Sequence, residues 1–128
     1  MNKDFKSWHL KKEKIHTAYT RPFFSEREIW YCACGVNVGF EQDGKGKDYL
    51  RPVLIFKKFN KEIFWAVPLT SAIKDSKFYY AINFGEKSCS LILSQLRLID
   101  SKRLSHKIGV LSKRQFAQSS KNLQALMP

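Results

Sequence analysis

This sequence is poor in acidic side chains, in cysteines and in long apolar runs. Only 11 Asp and Glu accompany 23 Lys and Arg, a formal net charge of +12, which favours a polyanionic partner: nucleic acid first, then an anionic membrane or an acidic protein. An odd count of three cysteines excludes a complete disulfide framework. No apolar run approaches the ~18 residues of a membrane-spanning helix, and the Lys-rich N-terminus lacks the apolar stretch of a secretory signal. We therefore expect a protein of the reducing cytoplasm with no membrane partner.

The residues that are present suffice for one folded domain. Of the 128 residues, 44% are hydrophobic and 14% are aromatic, which excludes a disordered chain. Residues 1–24 are expected to form an N-terminal helical extension, and residues 25–128 the main domain. Apolar and aromatic side chains of the extension recur near helical spacing: Phe5, Trp8, Ile15 and Tyr19. Packing on its own domain is the simplest role for this helix, although a basic amphipathic helix also suits RNA or a membrane surface.

Short β-prone runs separated by turn residues make up most of the main domain. The predicted strands are 28–34, 51–59, 62–68, 78–84, 90–99 and 107–111. Asn60-Lys61 predicts a hairpin between the second and third strands, and Ser112 is typical of the N-cap of a closing helix. The expected inner face of that helix is Phe116, Ser120, Leu123 and Met127. The pattern predicts a mainly β protein, a small antiparallel barrel with N-terminal and C-terminal helices.

Two polar groups fall where neighbouring predicted strands begin and end. Arg51 opens the second strand after a glycine-rich loop, and Thr70 and Ser71 follow the third. A guanidinium and hydroxyls at one rim of a small barrel suit a phosphate, and the net charge suggests that of a polynucleotide. A simpler alternative is that Arg51 forms a surface ion pair with Glu41 while Thr70 satisfies a turn.

The motifs of several enzyme classes are missing from the sequence. It contains no nucleophile elbow, no Walker-type phosphate loop and no pair of carboxylates suited to two-metal nuclease chemistry. Zinc is also disfavoured: Cys32 and Cys34 point to one side of a strand and Cys89 could approach them, but a structural site needs four ligands. We therefore expect no metal and no cofactor, with the cysteines acting as small buried residues.

RNA cleavage without metal needs a base for the ribose 2′-hydroxyl, donors for the charged phosphorane and an acid for the leaving oxygen. Glu41 is a candidate base, Arg51 a candidate phosphate ligand and acid, and Thr70 and Ser71 candidate donors. Gln95 and Arg97 are expected on one face of the predicted fifth strand, where they would extend the site.

Several segments, in order and spacing, resemble the MazF/PemK toxins of type II toxin–antitoxin systems. They are Glu28–Trp30, Asn37–Gln42, Arg51–Ile55, Val67–Ser71, Gln95–Asp100 and Lys107–Ser112. The resemblance implies an SH3-like barrel that forms a homodimer. It implies a metal-independent, sequence-selective endoribonuclease (mRNA interferase) acting on single-stranded RNA and leaving 2′,3′-cyclic phosphate and 5′-hydroxyl ends. It also implies a cognate antitoxin whose disordered acidic tail blocks the RNA groove.

Individual positions match the family pattern unequally. The family arginine falls on Arg51, the family threonine on Thr70, and a Glu-Gln pair on Glu41 and Gln42. The expected catalytic residues are thus Arg51, Thr70 and Glu41. The expected RNA-binding residues are Gln42, Lys45, Lys47, Ser71, Gln95 and Arg97. Ser94 stands where many members carry Asp, which favours Glu41 as base and keeps open two alternatives: a non-catalytic RNA-binding or regulatory barrel, and a growth inhibitor that acts on a protein target.

Overall fold

Seven strands and two α-helices organise the described part of the chain. The computed structural model describes residues 3–18, 20–35, 37, 43–46 and 49–128. Its elements are α1 (Phe5–His16), β1 (Glu28–Ala33), β2 (Leu50–Lys58), β3 (Ile63–Thr70), β4 (Tyr79–Phe84), β5 (Lys87–Ile92), β6 (Arg97–Asp100), β7 (Leu104–Val110) and α2 (Lys113–Gln124), with 3₁₀ turns at Leu93–Gln95 and Ser101–Arg103.

The strands form one antiparallel sheet in the order β4-β5-β3-β2-β1-β7, with β6 paired to β3. The two ends of this order curl towards each other, since a Cβ added to Gly109 of β7 would lie 2.8 Å from Cδ2 of Phe84 in β4. The sheet is open and barrel-like rather than closed. The prediction of a mainly β, small antiparallel barrel with helices at both ends is confirmed in this form.

Each face of the sheet contributes to a buried apolar cluster. Side chains alternate across each strand, so Val53 and Ile55 of β2 enter one apolar cluster while Leu54 enters another. The first cluster contains Phe24, Trp30, Cys32, Cys34, Val53, Ile55, Phe64, Ala66, Ile99 and Leu104. The second contains Ile29, Leu54, Val67, Leu69, Ile82, Cys89, Leu91, Leu93, Leu111 and Leu123. Two clusters explain why the strands are nearly continuous apolar runs.

β3 pairs with two different strands, and this corrects one sequence prediction. Its first half pairs with β6, as in Ala66↔Arg97, and its end pairs with β5, as in Thr70↔Ser90. The single strand predicted at 90–99 is therefore wrong, because the chain turns between the two partners. Leu93, at the start of that turn, is buried, and its N–H donates to Phe78 O at 2.8 Å.

The closing helix α2 begins as predicted. The Ser112 side chain accepts a hydrogen bond from the Gln115 N–H at 3.2 Å, which satisfies one of the free amides of the first turn. Leu123 is buried in the second cluster, and Phe116 packs against it. Met127 was predicted on the same face, but it lies beyond the end of the helix and is 52% exposed.

The N-terminal helix α1 rests on the domain through one aromatic residue. Trp8 is the only buried residue of α1, whereas Phe5 is 52% exposed and Ile15 is half-buried. The predicted inner face was therefore too wide, and Tyr19 lies outside the described residues. Neither α1 nor α2 is long and apolar enough to cross a membrane, which holds for the described residues.

Candidate nucleic-acid interface

Arg51 lies next to the end of β3, as the hairpin prediction requires. Val53 pairs with Pro68, so the antiparallel register continued by two residues places Arg51 opposite Thr70. The Arg51 Nε–H donates to Asp43 O at 2.5 Å, and an Nη1–H donates to Leu69 O at 3.1 Å. Among the described residues, the hydrogen-bond acceptors of this guanidinium are uncharged carbonyl oxygens. Its position is fixed while its charge stays available for an anion.

The electrostatic surroundings of Arg51 leave it a cation. Burial lowers its pKa, and Cys34 and Asp43 act in the opposite direction. An arginine remains protonated in proteins despite such shifts. A half-buried permanent cation is a stronger phosphate ligand than an exposed one, because less water screens it.

A groove of about 510 Å³ lies along the face formed by β3 and β6; we call it the β6 groove. Its polar lining is Asn37, Ser94, Gln95 and Arg97, and its apolar lining includes Val53 and Leu96. Gln95 and Arg97 meet here although they belong to different elements, a 3₁₀ turn and β6. They therefore line the same groove, but through the turn rather than through the alternation along one strand that the sequence predicted, and their role in binding RNA stays a prediction.

Cys34 lines the floor of the β6 groove beside Cys32. Both thiols lie in the first cluster, which confirms that they point to one side. A hydrogen bond with Cys32 lowers the pKa of Cys34, burial raises it, and nearby Arg97 and Arg51 lower it further, so that the net shift is downward. Cys89 packs in the second cluster instead, and the described residues contain no group of three or more His, Cys, Asp or Glu suited to a metal.

A second groove of about 320 Å³ contains the hydroxyls at the end of β3; we call it the β5 groove. Thr70, Ser71, Lys87 and Ser88 supply its polar lining, together with Tyr31 of β1. Thr70 Oγ1 accepts from the Ala72 N–H at 3.3 Å, so it satisfies a turn, which is the simpler role considered above. Since Thr70 is only half-buried, its hydroxyl hydrogen can still reach a ligand.

A family model decides the relationship of the chain. The model described as "PemK-like, MazF-like toxin of type II toxin-antitoxin system" matches residues 25–127. The chain belongs to this toxin family. A search of curated proteins gave no match.

Solved toxin structures share the fold of this family member. MazF (Form-I) from Deinococcus radiodurans has a TM-score of 0.68 and 20% identity, covering 84% of this chain and 97% of that one. An endoribonuclease in complex with its cognate antitoxin, from Mycobacterial species, has a TM-score of 0.62 and 15% identity, covering 83% and 98%. A MazE-MazF structure (Form-II) from Deinococcus radiodurans has a TM-score of 0.61 and 17% identity, covering 84% and 96%.

In this MazF-like chain the predicted site residues divide between two grooves, and Arg51 lines neither of them. Gln95 and Arg97 line the β6 groove, and Thr70 and Ser71 line the β5 groove. Arg51 interacts electrostatically with Cys34 of the first and donates to the Leu69 carbonyl of the second. Lys45 is exposed and pairs with Leu50. Glu41, Gln42 and Lys47 lie outside the described residues.

Sequence reasoning missed three lining residues of this MazF-like chain. Lys87 follows the Gly85-Glu86 turn, and its position at the start of a strand was a usable signal. Cys34 was considered as a metal ligand and as a small buried residue, and Tyr31 only as a strand residue. Both enter the grooves because β1 runs beside β2, with Tyr31↔Pro52 and Cys32↔Arg51 as paired residues.

Proposed function

We propose that the chain is the toxin component of a type II toxin–antitoxin system and acts as a metal-independent, sequence-selective endoribonuclease on single-stranded RNA in the cytoplasm. The observation that carries the proposal is Arg51, a half-buried cation that is held by two carbonyl oxygens. Membership in a family of MazF-like toxins supports the same activity.

The proposed reaction is an attack of the ribose 2′-oxygen on the adjacent phosphorus. The 2′-hydroxyl proton goes to a base, for which Glu41 is our candidate. The P–O5′ bond breaks as the 5′-oxygen takes a proton from a water molecule, and the resulting hydroxide recovers the proton held by Glu41. The Arg51 guanidinium donates to the nonbridging oxygens and lowers the energy of the dianionic phosphorane. The products are a 2′,3′-cyclic phosphate and a 5′-hydroxyl, and no metal or cofactor takes part.

The two grooves have complementary roles in this proposal. The β5 groove supplies Thr70 and Ser71 as hydroxyl donors near the scissile phosphate, with Lys87 as a further cation. The β6 groove supplies Gln95 and Arg97, whose amide and guanidinium suit base edges. A base-reading groove on one side of the phosphate ligand accounts for sequence selectivity.

Two protein partners belong to the proposal. Type II toxins act with an antitoxin, and two of the similar structures contain one by their descriptions, "in complex with its cognate antitoxin" and "MazE-MazF". An acidic antitoxin tail would meet a chain of formal net charge +12. The toxin itself is proposed to be a homodimer.

The decisive experiment incubates the purified protein with a long single-stranded RNA in EDTA and maps the cut ends. Cuts at a short recurring sequence with cyclic phosphate ends support the proposal. Arg51→Ala is expected to lower the rate by about 10²–10³-fold, the cost of removing one oxyanion donor, with an unchanged circular dichroism spectrum. Undiminished cutting by this variant removes Arg51 from the mechanism.

A second candidate is an RNA-binding barrel without cleavage. Ser94, an exposed hydroxyl in the β6 groove, favours it because many family members carry a carboxylate there. This candidate predicts RNA binding that weakens steeply with salt and leaves the RNA intact. The EDTA experiment separates the two, since only the first generates new 5′-hydroxyl ends.

A further inference from the structure

We propose that Lys3 and α1 form a positioning element for Arg51, acting through Asp43. This inference rests on the proposed ribonuclease function. The element lies before residue 25, where the family match begins, so it is an addition to the matched domain. Three sets of contacts carry the argument: those of Trp8, those of Lys3 and those of Asp43.

Trp8 attaches α1 to the start of the β1–β2 connection. It is 6% exposed, and its ring covers Gly35 so closely that a Cβ at that position would overlap it. The ring centroids of Trp8 and Tyr49 lie 5.3 Å apart, and the guanidinium of Arg103, the residue before β7, lies 5.6 Å from the centre of the Trp8 ring. Tyr49 O accepts the Cys34 N–H and Gly35 N–H, so Trp8 packs where the two ends of the connection meet.

Lys3 joins the two flanks of residues 38–42. Its Nζ donates to Asn37 O at 2.6 Å and forms an ion pair with Asp43 Oδ2 at 2.9 Å. The other Asp43 oxygen, Oδ1, accepts the Asn37 N–H at 2.6 Å. The Lys3 side chain is only 9% exposed, so this ion pair is poorly screened by water, and removing either charge leaves the other desolvated.

Asp43 transmits this contact to the site. Its carbonyl oxygen accepts the Arg51 Nε–H at 2.5 Å, while its carboxylate is held by Lys3 and Asn37. The neighbouring Gly44 N–H donates to Gly35 O at 2.7 Å, directly beneath Trp8. Displacing Lys3 therefore removes one of the contacts that hold Asp43, whose carbonyl is one of the two acceptors that orient the guanidinium.

The test compares Lys3→Ala with Lys6→Ala in the full-length protein. Both remove one positive charge near the start of α1, but Lys6 is exposed and takes no part in the site. Lys3→Ala is expected to lower kcat by about tenfold or more with little change in KM, because a small misplacement of a catalytic cation costs transition-state stabilisation. Lys6→Ala is expected to cleave like the parent, and Lys3→Arg to recover most of the activity.

A second measurement does not depend on cleavage. Amide hydrogen exchange at Gly44 and Lys45 reports their hydrogen bonds to Gly35 O and Leu50 O. These amides are expected to exchange about tenfold faster in Lys3→Ala and unchanged in Lys6→Ala, while the core strands keep their protection. Unchanged exchange together with parental kcat in Lys3→Ala overturns the positioning role. If the parent protein does not cleave RNA, the proposed function fails, and the exchange data alone decide whether Lys3 orders Asp43.

Discussion

Replacing Gly35 with alanine is expected to detach the N-terminal helix, and Gly46 provides a matched control. Both glycines have left-handed backbones, with φ of +74° at Gly35 and +75° at Gly46. A Cβ at Gly35 would lie 2.5 Å from Trp8 Cδ2 and closer still to two other ring atoms, whereas a Cβ at Gly46 meets nothing within 4 Å. The two substitutions therefore share the backbone strain and differ in the collision with Trp8.

The structure sets the size of each effect. A left-handed backbone costs an alanine about 1–2 kcal/mol, which is the whole loss in stability expected for Gly46→Ala. Gly35→Ala adds the displacement of Trp8, for which truncation of a buried tryptophan, about 3–5 kcal/mol, is the upper limit. The free energy of unfolding should thus fall by several kcal/mol more in Gly35→Ala than in Gly46→Ala.

Urea unfolding followed by circular dichroism measures both losses, and the slope with denaturant shows whether the unfolded surface has changed. If the helix detaches before global unfolding, less surface is left to expose, and the slope should be lower in Gly35→Ala. Trp8 would then be exposed to solvent in the folded state, which a change in tryptophan fluorescence would report. A difference between the two variants below about 1 kcal/mol, with an unchanged slope, would refute the packing of Trp8 on Gly35, since no atom-scale collision of this kind costs so little.

Two further predictions concern titrating groups. Partial burial raises the pKa of Glu28, but hydrogen bonds with Trp30, Ser25 and Lys107 and the charge of Lys107 lower it by more, so the net pKa lies below the ordinary 4.5. The contribution of Glu28 to stability is therefore complete above pH 4.5 and is lost as the pH falls through the lowered pKa. Urea titrations should show that the stabilities of the parent and Glu28→Gln differ at pH 7 and converge as the pH falls below 4.5 through the lowered pKa, and a constant gap would contradict this. Cys34 lines the β6 groove and its pKa is lowered, whereas burial raises the pKa of Cys89. Because both cysteines are buried, alkylation by iodoacetamide should be slow, with Cys34 reacting first. Mass spectrometry on the RNA-bound protein should show protection of Cys34, and equal labelling with and without RNA would place the RNA outside the β6 groove.

Local sequence pattern was sufficient where partners are close in the chain. The β2–β3 hairpin followed from two apolar runs, and it determined that Arg51 lies opposite the end of β3. The run from Ser90 to Ile99 was misread because it is β-prone throughout. What interrupts it is tertiary: β3 needs β5 at one end and β6 at the other, and Leu93 turns the chain between them. The catalytic roles, the dimer and the RNA substrate remain predictions.

Long-range contacts explain what pattern could not supply at the site. Lys3 and Asp43 are 40 residues apart, and nothing in a lysine within a basic segment distinguishes it from its neighbours on a solvated helix. Only the shape around Gly35, where Trp8 fits because a side chain is missing, brings the helix close enough for Lys3 to reach Asp43. Two residues of the domain therefore receive the extension: Gly35 accepts Trp8, and the carboxylate of Asp43 accepts Lys3. In a related chain, the presence of both would predict that an N-terminal extension positions the arginine in the same way.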